Sequence, residues 1–376
     1  MPVLAVTRER RAGETRVAVT PDAARRLIAL GLEVVVEAGA GIAAAATDAD
    51  YEAAGARIAH TPSEALAHAD IVLKVRGPVD EEIAALKDGA IVVGLLNPFQ
   101  DREVVEDLAE TGATVFALEF VPRITRAQVM DALSSQANLA GYRAVIEAAE
   151  VYGRAMPMMM TAAGTVAPAK VFVMGAGVAG LQAIATARRL GAVVTATDVR
   201  PAAKEQVESL GAKFVAVQDE EFKAAETASG YAKPMSEAYQ AKQAALVGEH
   251  IKKQDIVVTT ALIPGRLAPK LVSAEHVASM KPGSVLVDLA VEQGGNVAGS
   301  KTGEIVETGG VKIVGFANLP GRIAADSSAL YARNLTAFVG LLVKDGQVAP
   351  DFDDEILQAA LVARSGQITH PLVKAV

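Results

Sequence analysis

The stretch KVFVMGAGVAGLQAIATARRLGAVVTATD, residues 170–198, decides the fold. Its apolar run Lys170–Met174 predicts a strand, and Gly175-Ala-Gly177-Val-Ala-Gly180 predicts a turn. Val178–Leu190 then reads as an alanine-rich helix, and Val193–Thr197 as a second strand ending at Asp198. A strand, a glycine turn and a helix feeding a second strand form one unit of a doubly wound parallel sheet.

Each glycine has a mechanical task. Gly175 makes the tight turn, Gly177 lets the backbone approach a pyrophosphate, and Gly180 lets the helix pack on the strand. The helix start around Val178, Ala179 and Gly180 supplies oriented N–H groups and a positive dipole end. Asp198 lies 18 positions after Gly180, close to the spacing of a ribose-binding acid. A carboxylate there accepts from both ribose hydroxyls of NAD and repels a 2′-phosphate. Arg200, two residues on, pulls toward NADP. The acid sits at the strand tip, so NAD is expected.

Similar apolar runs recur along all 376 residues, alternating with helical stretches. Runs such as IVLKV, AIVVGLL, DIVVTTA and SVLVDLA suit strands covered on both faces. The expected class is α/β, with two Rossmann-like doubly wound parallel sheets joined by long helices. A weak internal repeat supports two sheets. Leu30-Gly31, Gly55-Ala56, Asp70-Ile71 and Lys87-Asp88-Gly89 return in order as Leu190-Gly191, Gly211-Ala212, Asp255-Ile256 and Lys281-Pro282-Gly283. Fifteen positions separate Gly55 from Asp70, and forty-four separate Gly211 from Asp255, so the second copy gains twenty-nine. That insertion, near 219–248, reads as a functional loop or a surface excursion.

Gln128–Arg154 and Ile323–Val343 read as long helices, and 350–355 as an acidic helix start. The expected domains are 1–135 with 326–376, and 136–325. The opening strand Val3–Val6 runs into Thr7–Arg16 with no glycine motif, and Thr20-Pro21 starts a helix. Only the second copy is expected to hold a dinucleotide.

Composition narrows the rest. Charged residues at 21% and hydrophobic residues at 51% exclude a disordered chain. The absence of cysteine excludes disulfides, thiolate metal sites and a cysteine nucleophile. A net charge of −8 with 4% aromatics argues against nucleic acid as a partner. The most apolar stretch, Val171–Ala187, is interrupted by three glycines, so no membrane span is expected. MPVLAVTRERR becomes charged before a signal-peptide core can form, and a cytoplasmic location is expected.

A dehydrogenase of hydroxy or amino acids needs a proton donor or acceptor at its substrate. The five histidines, His60, His68, His250, His276 and His370, form no pair with metal-ligand spacing. Each reads as a surface or helix-packed residue. Met158–Met160 reads as core filler.

Several segments together resemble the NAD(H)-binding component of proton-translocating transhydrogenases. They are Arg123-Ile-Thr-Arg126-Ala-Gln128-Val-Met-Asp131-Ala-Leu-Ser134, Met158–Thr165, Gly175–Gly180, Gly230-Tyr231-Ala-Lys233, Thr259–Gly265 and Asp288–Gly295. The resemblance runs from Thr7 to about Asn334 and is most specific over Arg123–Ser134. The related alanine dehydrogenases share the two-domain fold. Arg16 and Lys74 match the residues that bind the amino-acid carboxylate there, but the catalytic histidine after the strand Ala90–Leu96 is replaced by Asn97-Pro-Phe-Gln-Asp.

The resemblance implies that Arg123, Gln128, Asp131 and Ser134, with Ile124, Thr125 and Arg126 between them, line the nicotinamide side. Gln128 would face the second dinucleotide, and with Arg123 and Asp131 would carry the catalytic role. Val178, Ala179 and Gly180 would lie on the pyrophosphate, and Asp198, Val199 and Arg200 around the adenosine ribose. Gly230, Tyr231, Gln243 and Leu262 would add contacts, with Tyr231 on a mobile loop. NADP would sit on a partner subunit, and a separate membrane subunit would conduct protons. The chain would be a homodimer, held at the inner face of the cell membrane through those partners. Two alternatives are an alanine-dehydrogenase-like oxidoreductase and a non-catalytic NAD-sensing regulator.

Overall fold

The computed structural model describes residues 1–223, 235–263 and 265–374. The chain divides into two compact units, Met1–Gln136 with Pro320–Val376, and Ala137–Leu319.

The first unit is built on an eight-stranded sheet. In spatial order its strands are Gln367–Ile368, Leu361–Arg364, Thr114–Ala117, Ile91–Gly94, Ile71–Leu73, Val3–Val6, Glu33–Glu37 and Arg57–Ala59. The last six run parallel. The two from the C-terminal segment close one edge antiparallel. The continuous apolar runs have the expected cause, since Ile71, Val72 and Leu73 are buried on both faces. The helix Ala324–Leu342 buries Tyr331, Leu335 and Phe338 in the same core. The Tyr331 hydroxyl donates to the Lys74 carbonyl at 2.8 Å and accepts the Leu95 N–H at 3.1 Å.

The second unit carries a seven-stranded sheet ordered Lys213–Phe214, Val193–Thr197, Lys170–Met174, Ile256–Thr259, Val285–Asp288, Val311–Val314 and Ile305–Thr308. All pairs are parallel except the last. In each unit the parallel strands follow the order third, second, first, fourth, fifth, sixth. This is the doubly wound α/β arrangement.

The repeat extends to hydrogen bonds. The Val3 N–H donates to the Asp70 carboxylate at 2.8 Å, and the Lys170 N–H to the Asp255 carboxylate at 2.8 Å. Lys87 pairs with Asp70 at 2.5 Å and Lys281 with Asp255 at 3.4 Å. In both sheets an aspartate before the fourth strand satisfies the first N–H of the first strand. Gly31 and Gly191 both turn the chain after a helix with φ near +88° and +85°, a conformation that favours glycine.

Two expectations change. The long helix predicted from Gln128 begins at Ala132, after a 3₁₀ turn over Thr125–Met130. The Asp131 carboxylate accepts the Ser134 N–H at 2.8 Å, so it caps the helix and fixes its start. Met158, Met159 and Met160 are not core. They are 60%, 43% and 77% exposed on a two-stranded hairpin, Met159–Thr161 with Gly164–Val166, whose strands pair only with each other. No helix among the described residues is long and apolar enough to cross a membrane.

Candidate functional site

In the second unit the glycine turn behaves as its spacing requires. Gly175 has φ +103°, and a Cβ there would stand 2.5 Å from the Thr260 hydroxyl. A Cβ on Gly180 would run into the Gly175 carbonyl oxygen, so strand and helix close tightly at that point. A Cβ on Gly177 would meet nothing within 4 Å. Here glycine leaves open space above the backbone, the cradle a pyrophosphate needs. Gly177 is also the N-cap of the helix Val178–Arg189 and brings no capping side chain to its first turn. Oriented N–H groups at such a helix start suit an anion.

Asp198 stands at the tip of the neighbouring strand, its side chain 7% exposed. Its Oδ2 accepts the Ala176 N–H at 2.7 Å, which ties the acid to the glycine turn. Its Oδ1 accepts the Arg200 N–H at 2.8 Å. The Arg200 guanidinium adds Nε to Oδ1 at 2.9 Å and Nη2 to Oδ2 at 3.0 Å. Sequence spacing places Arg200 nearby, but not on the carboxylate itself. Gln243, on the helix Glu237–Ile251, donates to the Thr197 hydroxyl at 3.1 Å and accepts the Val217 N–H at 2.9 Å. It is therefore fixed beside the same strand tip. Val178, Val199 and Leu262 are exposed apolar side chains, at 40%, 52% and 48%. Gly230 and Tyr231 lie outside the described residues.

The loop that carries Leu262 is held by residues to which the sequence alone assigns no role. Thr260 donates its N–H to the Met174 carbonyl at 2.9 Å and its hydroxyl to the Gly175 carbonyl at 3.1 Å. The buried Asn296 side chain accepts the Ala261 N–H at 3.0 Å and donates to the Ala261 and Pro269 carbonyls at 2.9 and 2.8 Å. Asp288, fully buried, in turn accepts the Asn296 and Val297 N–H groups, both at 3.1 Å. Their signal was an aspartate closing a strand, followed eight residues later by an asparagine.

In the first unit the segment Arg123–Ser134 forms one surface ridge. Arg123, Thr125, Arg126 and Gln128 are exposed, while Ile124 packs against the core. Arg126 is committed to an ion pair with Asp354 at 2.7 Å and a second contact to Glu355 at 3.3 Å. Asp354 is itself the N-cap of the helix Glu355–Ala360, so the acidic run is a helix start. Asp131 and Ser134 bond each other, hydroxyl to carboxylate, at 2.6 Å.

The same unit holds a buried charge network. Arg16 forks onto Glu14 at 2.7 and 2.8 Å and donates to Gln136 at 2.8 Å. Lys74 is shared among Glu82 at 3.0 Å, Thr7 at 3.0 Å and Glu9 at 3.4 Å. Arg10 forks onto Glu37 at 2.7 and 3.0 Å and reaches Glu82 at 3.2 Å. Burial pushes the Glu14 carboxyl up, but the Arg16 guanidinium outweighs burial and lowers it to about 2. Arg16 and Lys74, the two candidate carboxylate binders, are thus already neutralised from within.

The loop where alanine dehydrogenases carry their histidine presents Asn97 in a left-handed conformation, φ +51°. Its N–H donates to Glu119 Oε1 at 2.6 Å, while Oε2 is buried without a partner. Burial raises the Glu119 carboxyl to about 7 against the opposing pull of backbone N–H groups. The histidines are elsewhere. His60 and His68 are exposed, His250 bonds Thr195 at 2.8 Å, His276 sits in a helix cap, and His370 stacks on Phe120.

Residues 5–140 match the family model described as "Alanine dehydrogenase/PNT, N-terminal domain", and residues 144–371 match "Alanine dehydrogenase/PNT, C-terminal domain". The chain is 54% identical over 375 residues to an NAD(P) transhydrogenase subunit alpha protein of Rhodospirillum rubrum, covering 98% of each. A solved transhydrogenase structure from Sinorhizobium meliloti matches with a TM-score of 0.90 and 54% identity, covering 98% of this chain and all of that one. A solved L-alanine dehydrogenase matches with a TM-score of 0.84 and 27% identity, covering 99% and 98%.

Proposed function

This chain belongs to the alanine dehydrogenase/PNT family, and from that premise we propose that it is the NAD(H)-binding subunit of a proton-translocating transhydrogenase. The observation that carries the reading is the pairing of a complete dinucleotide fingerprint at Gly175–Asp198 with Asn97 where an amino-acid dehydrogenase needs an imidazole. Hydride transfer between two nicotinamides moves no proton at the reacting carbons, so it needs no general acid or base. It needs the two rings apposed at about 3–3.5 Å with water excluded.

NADH, when bound, supplies the hydride. The residues of this chain hold it. The open backbone at Gly177 and the helix start at Val178 and Ala179 would take the pyrophosphate. Asp198, Val199 and Arg200 would take the adenosine ribose, with Gln243 and Leu262, and the undescribed Gly230 and Tyr231, completing the contacts. Arg123, Ile124, Thr125, Arg126, Gln128, Asp131 and Ser134 would form the nicotinamide side, with Gln128 toward the second dinucleotide.

The NADP would be held by a partner subunit, and protons conducted by a separate membrane subunit. The exposed Met158–Met160 hairpin supports a homodimer, because an apolar patch of that kind suits a surface covered in the assembly. The chain would then lie on the inner face of the membrane through its partners.

The test is NADH titration followed by transhydrogenation. The isolated chain should bind NADH yet fail to oxidise it with pyruvate and ammonium. Adding the NADP-binding partner should couple NADH oxidation to NADP reduction one for one. Alanine oxidation by the chain alone would transfer the reading to the alanine dehydrogenases. Binding without any coupled oxidation would leave a regulator.

A further inference from the structure

We infer that the Arg200 guanidinium is an internal competitor for the ribose-binding carboxylate, displaced when a dinucleotide enters, and that it sets how strongly the site discriminates NADH from NADPH. The inference rests on the reading that Asp198 takes the adenosine ribose.

A carboxylate offers about four acceptor positions. All four on Asp198 are filled by the Ala176 N–H, the Arg200 N–H and the two guanidinium donors Nε and Nη2. The two backbone bonds belong to the turn and stay with it. The guanidinium bonds are the exchangeable pair. The Arg200 side chain is 33% exposed against 7% for Asp198, so the guanidinium covers the acid from solvent. A ribose diol can reach Asp198 only by taking the place of that fork.

The first unit holds a fixed version of the same device. Glu37 ends the second strand, accepts the Arg8 N–H of the preceding turn at 2.8 Å, and is forked by Arg10. There the guanidinium is anchored from a second side by the buried Glu82.

The fork has two consequences. Binding NADH costs the free-state ion pair, so affinity is lower than the acid alone would give. The fork also cancels part of the charge that would repel a 2′-phosphate, and the released cation stands beside the position such a phosphate would take. Arg200 therefore narrows the discrimination that Asp198 widens.

The experiment measures NADH and NADPH affinity of the full chain by fluorescence titration, for wild type, R200A, R200K, D198A and the D198A/R200A double variant. R200A should bind NADH about three- to tenfold more tightly and NADPH more weakly. R200K, whose ammonium cannot fork, should fall between R200A and wild type. The NADH gain should vanish in the D198A background, since the competitor acts only through that carboxylate. Wild-type NADH binding weakened by D198A but unchanged or weakened by R200A would overturn the inference alone. NADH binding insensitive to D198A would overturn it together with the reading on which it rests.

Discussion

The Arg200 guanidinium closes on the Asp198 carboxylate through two parallel contacts, at 2.9 and 3.0 Å, across only two positions of chain. The acid itself is tied to the glycine turn through Ala176. Asp198→Ala removes the acceptor for the ribose hydroxyls and frees the cation for a phosphate. NADH affinity should fall roughly ten- to a hundredfold, while NADPH affinity falls much less or rises. Calorimetric titration with both nucleotides checks this, and equal losses would refute the ribose assignment.

Gly180→Ala places a methyl against the Gly175 carbonyl oxygen. The helix must lift off the strand, at about 1–3 kcal/mol of stability. Urea denaturation with and without NADH measures both effects. A variant that stays as stable as wild type would show that the close approach is not required.

Glu119 and Glu14 give the first unit opposite pH limbs. Glu119 stays protonated in the fold up to about 7, against an ordinary value of 4.5. Its contribution is therefore complete below about pH 4.5 and lost as pH rises through 7, by about 2–3 kcal/mol. Glu14, held at about 2, contributes above its ordinary range and is lost as pH falls toward 2. Melting temperature measured from pH 5 to 8 should drop in wild type and flatten in Glu119→Gln. A Glu119→Gln profile parallel to wild type would remove this carboxyl from the account.

Asp70 and Asp255 do equal work in the two sheets. Asp70→Asn and Asp255→Asn should each cost about 1 kcal/mol and speed amide exchange at Val3 and Lys170 respectively. Hydrogen exchange read residue by residue distinguishes the two. A cost confined to one unit would mean that the shared hydrogen bond is incidental.

Gln128 is exposed on the 3₁₀ turn and is read as a ring-positioning group. Gln128→Asn should leave NADH affinity nearly unchanged and lower the hydride-transfer rate in the reconstituted complex by about tenfold or more. An unchanged rate would end its positioning role.

The parallel strands were legible because each is an uninterrupted apolar run. Lys170–Met174 and Val193–Thr197 fall where the residues place them, and glycine spacing identifies the turn between them. The local pattern misplaces Met158–Met160, because apolar content cannot tell a core strand from a hairpin pairing only with itself. The helix start at Ala132 is hidden because Gln128–Met130 have helical composition, and only the Asp131 cap ends the 3₁₀ turn. The Arg200 fork and the Asn296 clamp depend on side-chain directions and on contacts across 35 positions, which spacing alone does not encode.

The first sheet is closed by residues that the ribosome delivers only after the whole of the second unit. Its edge strands at Leu361–Arg364 and Gln367–Ile368, and the buried Tyr331 that joins Lys74 to Leu95, all follow that contiguous unit in the chain. The second unit can therefore fold while the N-terminal half still waits with an open sheet edge and an unfilled core. Loss of the segment beyond Ala360 should accordingly be felt at the start of the chain, which makes that segment a checkpoint on completed synthesis.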